Sequence, residues 1–311
     1  MTDALPPKNE DSRSGFLFAL AAYLMWGFLP LYMKALAHVS PFEVIAHRVL
    51  WSLPIGFGVI LILGRTQELR IALRTPRTLM MAAATAALIS VNWGTYVWAI
   101  GAGHALEAAL GYYINPLFSV FLGRVILKEH LSPAQWVALA LAAAAVVLLT
   151  VDAGQVPVVA LGLTVSWGIY AYLKKSLPIG PNQGFTLEVM LLAPFAAAYL
   201  IWLHAQGAPH FAQGVTTDTL LLIGTGVITA VPLMIYANGA KRLRLSTIAM
   251  MQYISPTIIF VIAVFIFDEP FGTVRLIAFP MIWAALVIYT VASFRARGRA
   301  RQSSSVIQTG T

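Results

Sequence analysis

The chain has no cysteine among its 311 residues. That excludes a disulfide framework, a thiolate nucleophile and any Cys-ligated zinc or iron–sulfur centre. Charge is almost as scarce: 10% of residues are Asp, Glu, Lys or Arg, against roughly 25% in soluble domains. Too few charges exist to coat a water-facing surface, so soluble enzymes, nucleic-acid readers and disordered scaffolds are excluded together. Motifs of catalysis are missing as well. There is no HExxH, no G-x-S-x-G elbow and no Walker A loop, and His47, His104, His204 and His210 lack ligand spacing. No repeated filter sequence or acidic ring suggests a channel. No cofactor, metal or nucleic-acid partner is expected. What remains is apolar: 59% of residues are hydrophobic and mean hydropathy is +0.80. A chain of this kind is a polytopic membrane protein whose first partner is the lipid bilayer.

A helix crossing the hydrocarbon core needs ~20 mostly apolar residues. Such runs occur at about 15–36, 42–63, 78–99, 104–124, 133–151, 157–175, 184–204, 217–240, 246–267 and 272–294. The predicted architecture is therefore all-α, with ten transmembrane helices. Residues 1–14 form an N-terminal tail and 295–311 a basic C-terminal tail. If both tails are cytoplasmic, seventeen of the twenty Lys and Arg residues fall on the cytoplasmic side, leaving only Lys34, Arg48 and Arg275 elsewhere. That asymmetry follows the positive-inside rule and supports an even number of spans.

The two halves resemble each other. YINPLFSVFLGRVILKE around Pro116 matches YISPTIIFVIAVFIFDE around Pro256. Tyr96, Tyr113, Ile114, Pro116 and Glu129 recur 140 residues later as Tyr236, Tyr253, Ile254, Pro256 and Glu269. Trp26, Gly27, Lys34 and Leu36 recur at an offset of 141 as Trp167, Gly168, Lys175 and Leu177. A duplication of 15–151 into 157–294 is inferred. Five spans per half is an odd number, so the second half enters the membrane inverted, and two such halves around a central cavity are an architecture of secondary transporters.

Several stretches then resemble a known family. They are MWGFLPLYMKAL in span one, FEVIAHRVLWSLP in span two and NWGTYVWAI in span three. The run HALEAALGYYINPLFSVFLGRVILKEHLSPAQWVALALA from His104 is the most specific. Over about 15–294 the chain resembles the EamA-type permeases of the drug/metabolite transporter superfamily, closest to the RarD permeases of bacterial inner membranes. The resemblance implies a ten-helix bundle of two inverted repeats that moves small organic solutes. It names no particular solute.

Ionised groups within a bilayer cost at least ~2.5–3.5 kcal/mol on insertion scales and should face the bundle interior. Span two carries Glu43 and His47 on one face, with Arg48 turned elsewhere, ~9 Å along the span. A guanidinium there is suited to clamping a substrate carboxylate or phosphate; the alternative is an Arg snorkelling to the interface or paired with a neighbouring carboxylate. Span four aligns Glu107, Gly111, Asn115 and Ser119 at four-residue spacing, with Glu107 read as a proton carrier or the partner of Arg48. Gly111 and Ser119 suit close helix packing.

Glu43, His47 and Glu188 are gate candidates, although a carboxylate at a helix start also suits the macrodipole. Pro116 and Pro256 are expected to break spans four and nine, exposing polar groups at Asn115 and Ser255. Trp26, Tyr96 and Tyr236 are the expected cavity wall, and Asn92 is an amide for solute or a neighbouring helix. These features predict an inner-membrane permease working by alternating access, with protons as a candidate coupling ion. The rival readings are a membrane scaffold or sensor, and a membrane-embedded enzyme without a recognised motif.

Overall fold

The computed structural model describes residues 12–126, 131–154, 156–207, 209–213, 216–240, 242–243 and 251–309. Among these residues the fold is entirely helical. Its elements are α1 (Arg13–Ala35), α2 (Pro41–Ile62), α3 (Thr66–Leu73), α4 (Pro76–Gly101), α5 (Ala105–Ile126), α6 (Pro133–Ala153), α7 (Val158–Ser176), α8 (Pro181–Ala205), α9 (Thr216–Ala240), α10 (Ile254–Phe265) and α11 (Thr273–Thr309).

Local chemistry explains where the helices start. Proline opens α2, α4, α6 and α8, where its missing N–H would have had no intrahelical partner and its fixed φ is already helical. The Ser12 hydroxyl accepts from the Gly15 N–H at 3.0 Å to cap α1. Ser132 and Gln135 cap α6 reciprocally. At the end of α6, Gly154 turns the chain with φ +64°, a conformation that only glycine adopts cheaply.

Among the described residues, six segments are long and apolar enough to cross a membrane: α1, α2, α6, α8, Thr216–Tyr236 of α9 and Thr273–Ala292 of α11. Val158–Lys174 and Ile254–Phe265 are shorter apolar helices. The outward surface is correspondingly greasy, with Ile62, Val151, Phe195, Phe265 and Phe42 all exposed. Apolar exposure on that scale does not occur on a water-soluble monomer.

Three features depart from the sequence expectation. A short helix, α3, was not anticipated: Leu69 and Ala72 are buried in the stretch where only a charged connection was expected. It docks on α8, where Gln183 donates to Glu68 at 2.6 Å. The basic tail expected from residue 295 instead continues α11 as helix to Thr309. Span nine was expected from residue 246, but α10 begins at Ile254, and 246–250 lie outside the described residues.

Packing arranges the helices around α2, which lies against α8 and α9. Helix α1 packs on α9 and α10, and α7 packs on α4 and α5. Helix α6 pairs with α11, and α5 also meets α10. Small residues make these approaches close. A Cβ on Gly226 of α9 would run into the Trp51 backbone of α2, and one on Gly111 of α5 would sit 2.7 Å from the Ala160 carbonyl of α7. The Thr164 hydroxyl donates to the Gly111 carbonyl at 2.9 Å across the same seam, in keeping with the packing role expected for Gly111. The side chain of Ser119 lies outside the described residues.

The α2–α9 seam supplies a direct test. Gly226→Ala should destabilise the purified protein by about 1–3 kcal/mol through overpacking, read as a lowered thermal midpoint. Gly58→Ala, on the same α2 but with open space around it, should not lower that midpoint, since alanine is the better helix former.

Candidate functional site

Arg48 lies in the middle of the bundle, seven residues into α2, and is 3% exposed. Its Nε donates to the Thr229 hydroxyl of α9 at 3.0 Å. Thr229 in turn donates to the Thr225 carbonyl one turn back at 2.7 Å, so its lone pairs face Arg48. The guanidinium carbon stands 4.7 Å from the Trp93 ring centroid of α4, a cation–π distance. Tyr96, also on α4, and Tyr112 of α5 close the box, with ring centroids 5.9 Å apart. Two buried donors here have no hydrogen-bond partner: Arg48 Nη1 and the Tyr96 hydroxyl. Among the described residues no carboxylate lies within 4.0 Å of Arg48.

Pro116 adds a polar group to this region. It lacks the N–H that would bond the carbonyl four residues earlier, so it releases the Tyr112 carbonyl from the helix ladder while α5 continues unbroken. The expected break is therefore a local loss of one hydrogen bond rather than an interruption. Pro256 differs, because it sits in the first turn of α10. Helix at Met251 gives way to a turn at Gln252–Tyr253 before α10 begins, so span nine is interrupted just ahead of Pro256, whose missing N–H falls where no intrahelical acceptor exists.

A second cluster closes the end of the bundle that carries the α1–α2 turn. Both Glu43 oxygens hold His210: one accepts its backbone N–H at 2.8 Å, and the other lies 2.8 Å from its Nδ1. His38 meets Asp218 at 3.0 Å, and its ring stands 5.7 Å from that of His210. His47 accepts from Trp51 Nε1 at 3.1 Å and lies against the Phe211 ring. The α8–α9 connection is thus strapped over α2. Beside it, His47, Trp51, Leu200 and Phe211 help line a cavity of about 310 Å³.

The third cluster is a buried ion pair. Glu188, 2% exposed on α8, is 2.6 Å from Lys174 Nζ of α7 and accepts from the Tyr170 hydroxyl at 3.3 Å. Glu188 is seven residues beyond Pro181, well past the first turn, so its partner is Lys174 rather than the helix dipole. Lys174 was counted on the cytoplasmic side from sequence; its stem is partly exposed, while its ammonium is buried against Glu188.

The remaining candidates are dispersed. Glu107 pairs with His104 at 3.1 Å, one turn back, and remains partly exposed. The two line a cavity of about 480 Å³ that includes Asp152 and Arg275 and does not reach Arg48. The Arg48–Glu107 pair considered from sequence therefore does not form, because Glu107 sits in the first turn of α5 and Arg48 lies deep in α2. Asn92 donates to the Leu163 carbonyl at 3.1 Å and the Ser166 hydroxyl at 2.9 Å, spending its NH₂ on the α4–α7 seam. Asn115 is buried. Trp26 and Tyr236 pack with Tyr23 at 5.4–5.7 Å in a cluster separate from Tyr96, so the expected wall is two surfaces. Ser255 donates to the Tyr23 carbonyl at 2.7 Å.

Glu269 caps α5 by accepting the Ala105 and Leu106 N–H groups at 2.6 and 2.9 Å. Burial raises its carboxyl above the usual range, opposed by those two N–H donors and by the charges of Arg275 and His104. Glu129 lies outside the described residues. Sequence reasoning missed Thr229 and Lys174. The isolated polar pair Thr225 and Thr229 at one-turn spacing was a usable signal, whereas Lys174 looked like an ordinary flanking lysine.

A family model for the EamA-like transporter family matches residues 13–151. An "Uncharacterized transporter" of Vibrio cholerae serotype O1 is 41% identical over 300 residues, 96% of this chain and 99% of its own. The chain belongs to the EamA-like transporter family. Among its RarD relatives, Protein RarD of Escherichia coli (strain K12) is 38% identical over 91% of this chain and 95% of its own. The Chloramphenicol-sensitive protein RarD of Pseudomonas aeruginosa is 31% identical over 89% and 93%. One solved crystal structure aligns with a TM-score of 0.59 at 20% identity, covering 90% of this chain and 99% of its own, and so shares the fold. This EamA-like transporter is a multi-pass membrane protein of RarD type.

The Lys174–Glu188 pair yields a stability prediction for this EamA-like transporter. Glu188→Gln leaves a buried ammonium without its counter-charge and should cost about 3–5 kcal/mol in detergent unfolding. The double variant Lys174→Met, Glu188→Leu should recover most of that loss, because a matched apolar pair needs no neutralisation.

Proposed function

We propose that the protein is a secondary carrier of small organic solutes in the bacterial inner membrane, built from two inverted repeats, 15–151 and 157–294, that alternate access to a central site. The observation that carries this reading is Arg48: a membrane-interior cation, walled by aromatic rings, with a donor left unmet. Retaining such a group is expensive unless a ligand uses it.

Packing supports the inverted repeat. Taking α3 as an addition, α1, α2, α4, α5 and α6 correspond in order to α7, α8, α9, α10 and α11. Helix α1 packs on α9 and α10 just as α7 packs on α4 and α5; α2 meets α9 as α8 meets α4. The pairs α2–α8, α5–α10 and α6–α11 join corresponding helices across the pseudo-two-fold. That exchangeability is what inward- and outward-open states of similar energy require. The basic-residue asymmetry supports both termini facing the cytoplasm. In this state the strap of Glu43 to His210 covers one end, and the gate role proposed for Glu43 and His47 is to release it. Glu188, held by Lys174, is the candidate on α8, the corresponding helix of the other repeat.

Transport itself is the test. Proteoliposomes loaded with bacterial metabolite extract, under pH gradients of either sign, should move one or a few solutes in a protein-dependent manner, followed by mass spectrometry. A response to the sign of the gradient would establish proton coupling. If correctly folded and inserted protein moved no solute, the carrier reading would fail.

A further inference from the structure

The charges buried in the bundle can be accounted for one by one. Glu43 is matched by His210, Glu188 by Lys174, and Glu269 by two backbone N–H groups. Lys34, at the end of α1, is exposed and stands over the Phe267 ring. Arg48 is the exception: it is buried, its Nε bond goes to a neutral hydroxyl, and no carboxylate among the described residues lies within 4.0 Å. The titratable groups acting on it are the phenols of Tyr96 and Tyr112, which are neutral at physiological pH.

We infer that Arg48 takes its missing counter-charge from the transported solute, a small organic monoanion with an apolar body, and that the carrier consequently works by exchanging one such anion for another. This rests on the carrier reading above. The chemistry of the ligand follows from the box. Two unmet donors, Arg48 Nη1 and the Tyr96 hydroxyl, suit the two oxygens of one carboxylate. A single cation neutralises one negative charge, so a phosphate dianion would leave an excess charge in the bundle. The rings of Trp93 and Tyr112 offer apolar surface for the rest of the molecule. A neutral solute could satisfy the hydrogen bonds but would leave the charge uncompensated.

Exchange follows from the same accounting. Switching access requires a moment when the site is sealed from water on both sides. An empty site then holds a bare guanidinium in a low-dielectric interior, whereas a loaded site holds a neutral pair. The loaded form therefore reorients and the empty form stalls. One monoanion moving each way transfers no net charge, so exchange should not respond to membrane potential.

The experiment uses the full chain in proteoliposomes, with desalted bacterial metabolite extract outside and either extract or anion-free buffer inside. Solutes that move are identified by mass spectrometry, and each is then used in labelled form. The expected result is that they carry a single negative charge at pH 7. Uptake should be at least ten-fold faster with anions inside, and a valinomycin-imposed potential should not change it. Arg48→Gln should reduce uptake at least a hundred-fold, Arg48→Lys about ten-fold, and Tyr96→Phe a few-fold, with melting curves verifying that each variant folds. Movement of neutral or cationic solutes, equal rates into anion-free vesicles, or wild-type uptake by folded Arg48→Gln would each overturn the inference while leaving the carrier reading intact. Movement of no solute at all would overturn both.

Discussion

Inside a bilayer there is no water to solvate a charge, and the organisation of this protein depends on that constraint. Among the described residues the buried carboxylates are each held by something: Glu43 by a histidine, Glu188 by an ammonium, Glu269 by backbone N–H groups. These pairs join separate elements. Glu43 reaches the α8–α9 connection, Lys174 and Glu188 tie α7 to α8, and Glu269 fastens the α10–α11 connection to α5. The polar network thus specifies which helices are neighbours, while small residues such as Gly111 and Gly226 set how closely they approach. Arg48 stands out because the same rule is applied to it incompletely.

Much of the fold was legible because membrane helices must be long, apolar and bounded. The starts of α2, α4, α6 and α8 fall at prolines, and the apolar runs ended within a few residues of the helices found. What escaped reading was local. Helix α3 is too short for hydropathy to register and is held by Leu69, Ala72 and the Glu68–Gln183 bond. The length of α11 escaped too, since Arg and Ala after Phe294 look like a tail when read for hydrophobicity but are good helix formers.

The candidate site was legible residue by residue and not as a constellation. Arg48 was identifiable because an intramembrane guanidinium is rare and has few bland explanations. Tyr96 was also picked out, as a cavity wall, but its grouping with Trp93, Tyr112 and Thr229 around Arg48 was not, because these residues come from three helices whose relative rotation no single-chain pattern reveals. Asn92 shows the converse. Its amide in the middle of a span suited either a solute or a neighbouring helix, and it is consumed by the α7 backbone and Ser166. Glu107 was assigned to the interior on cost alone, but the first turn of a helix is near enough to the surface for His104 to satisfy it.

The Glu269 cap has a mechanical consequence. Its two oxygens hold the first two N–H groups of α5, so a segment from one half of the chain is bolted to the leading end of a helix from the other. These bonds lie beside, and are independent of, the His210 strap at the same end. Parting the α10–α11 connection from the start of α5 would require both bonds to break. The cap is thus a rivet: it fixes one point common to both halves of the chain.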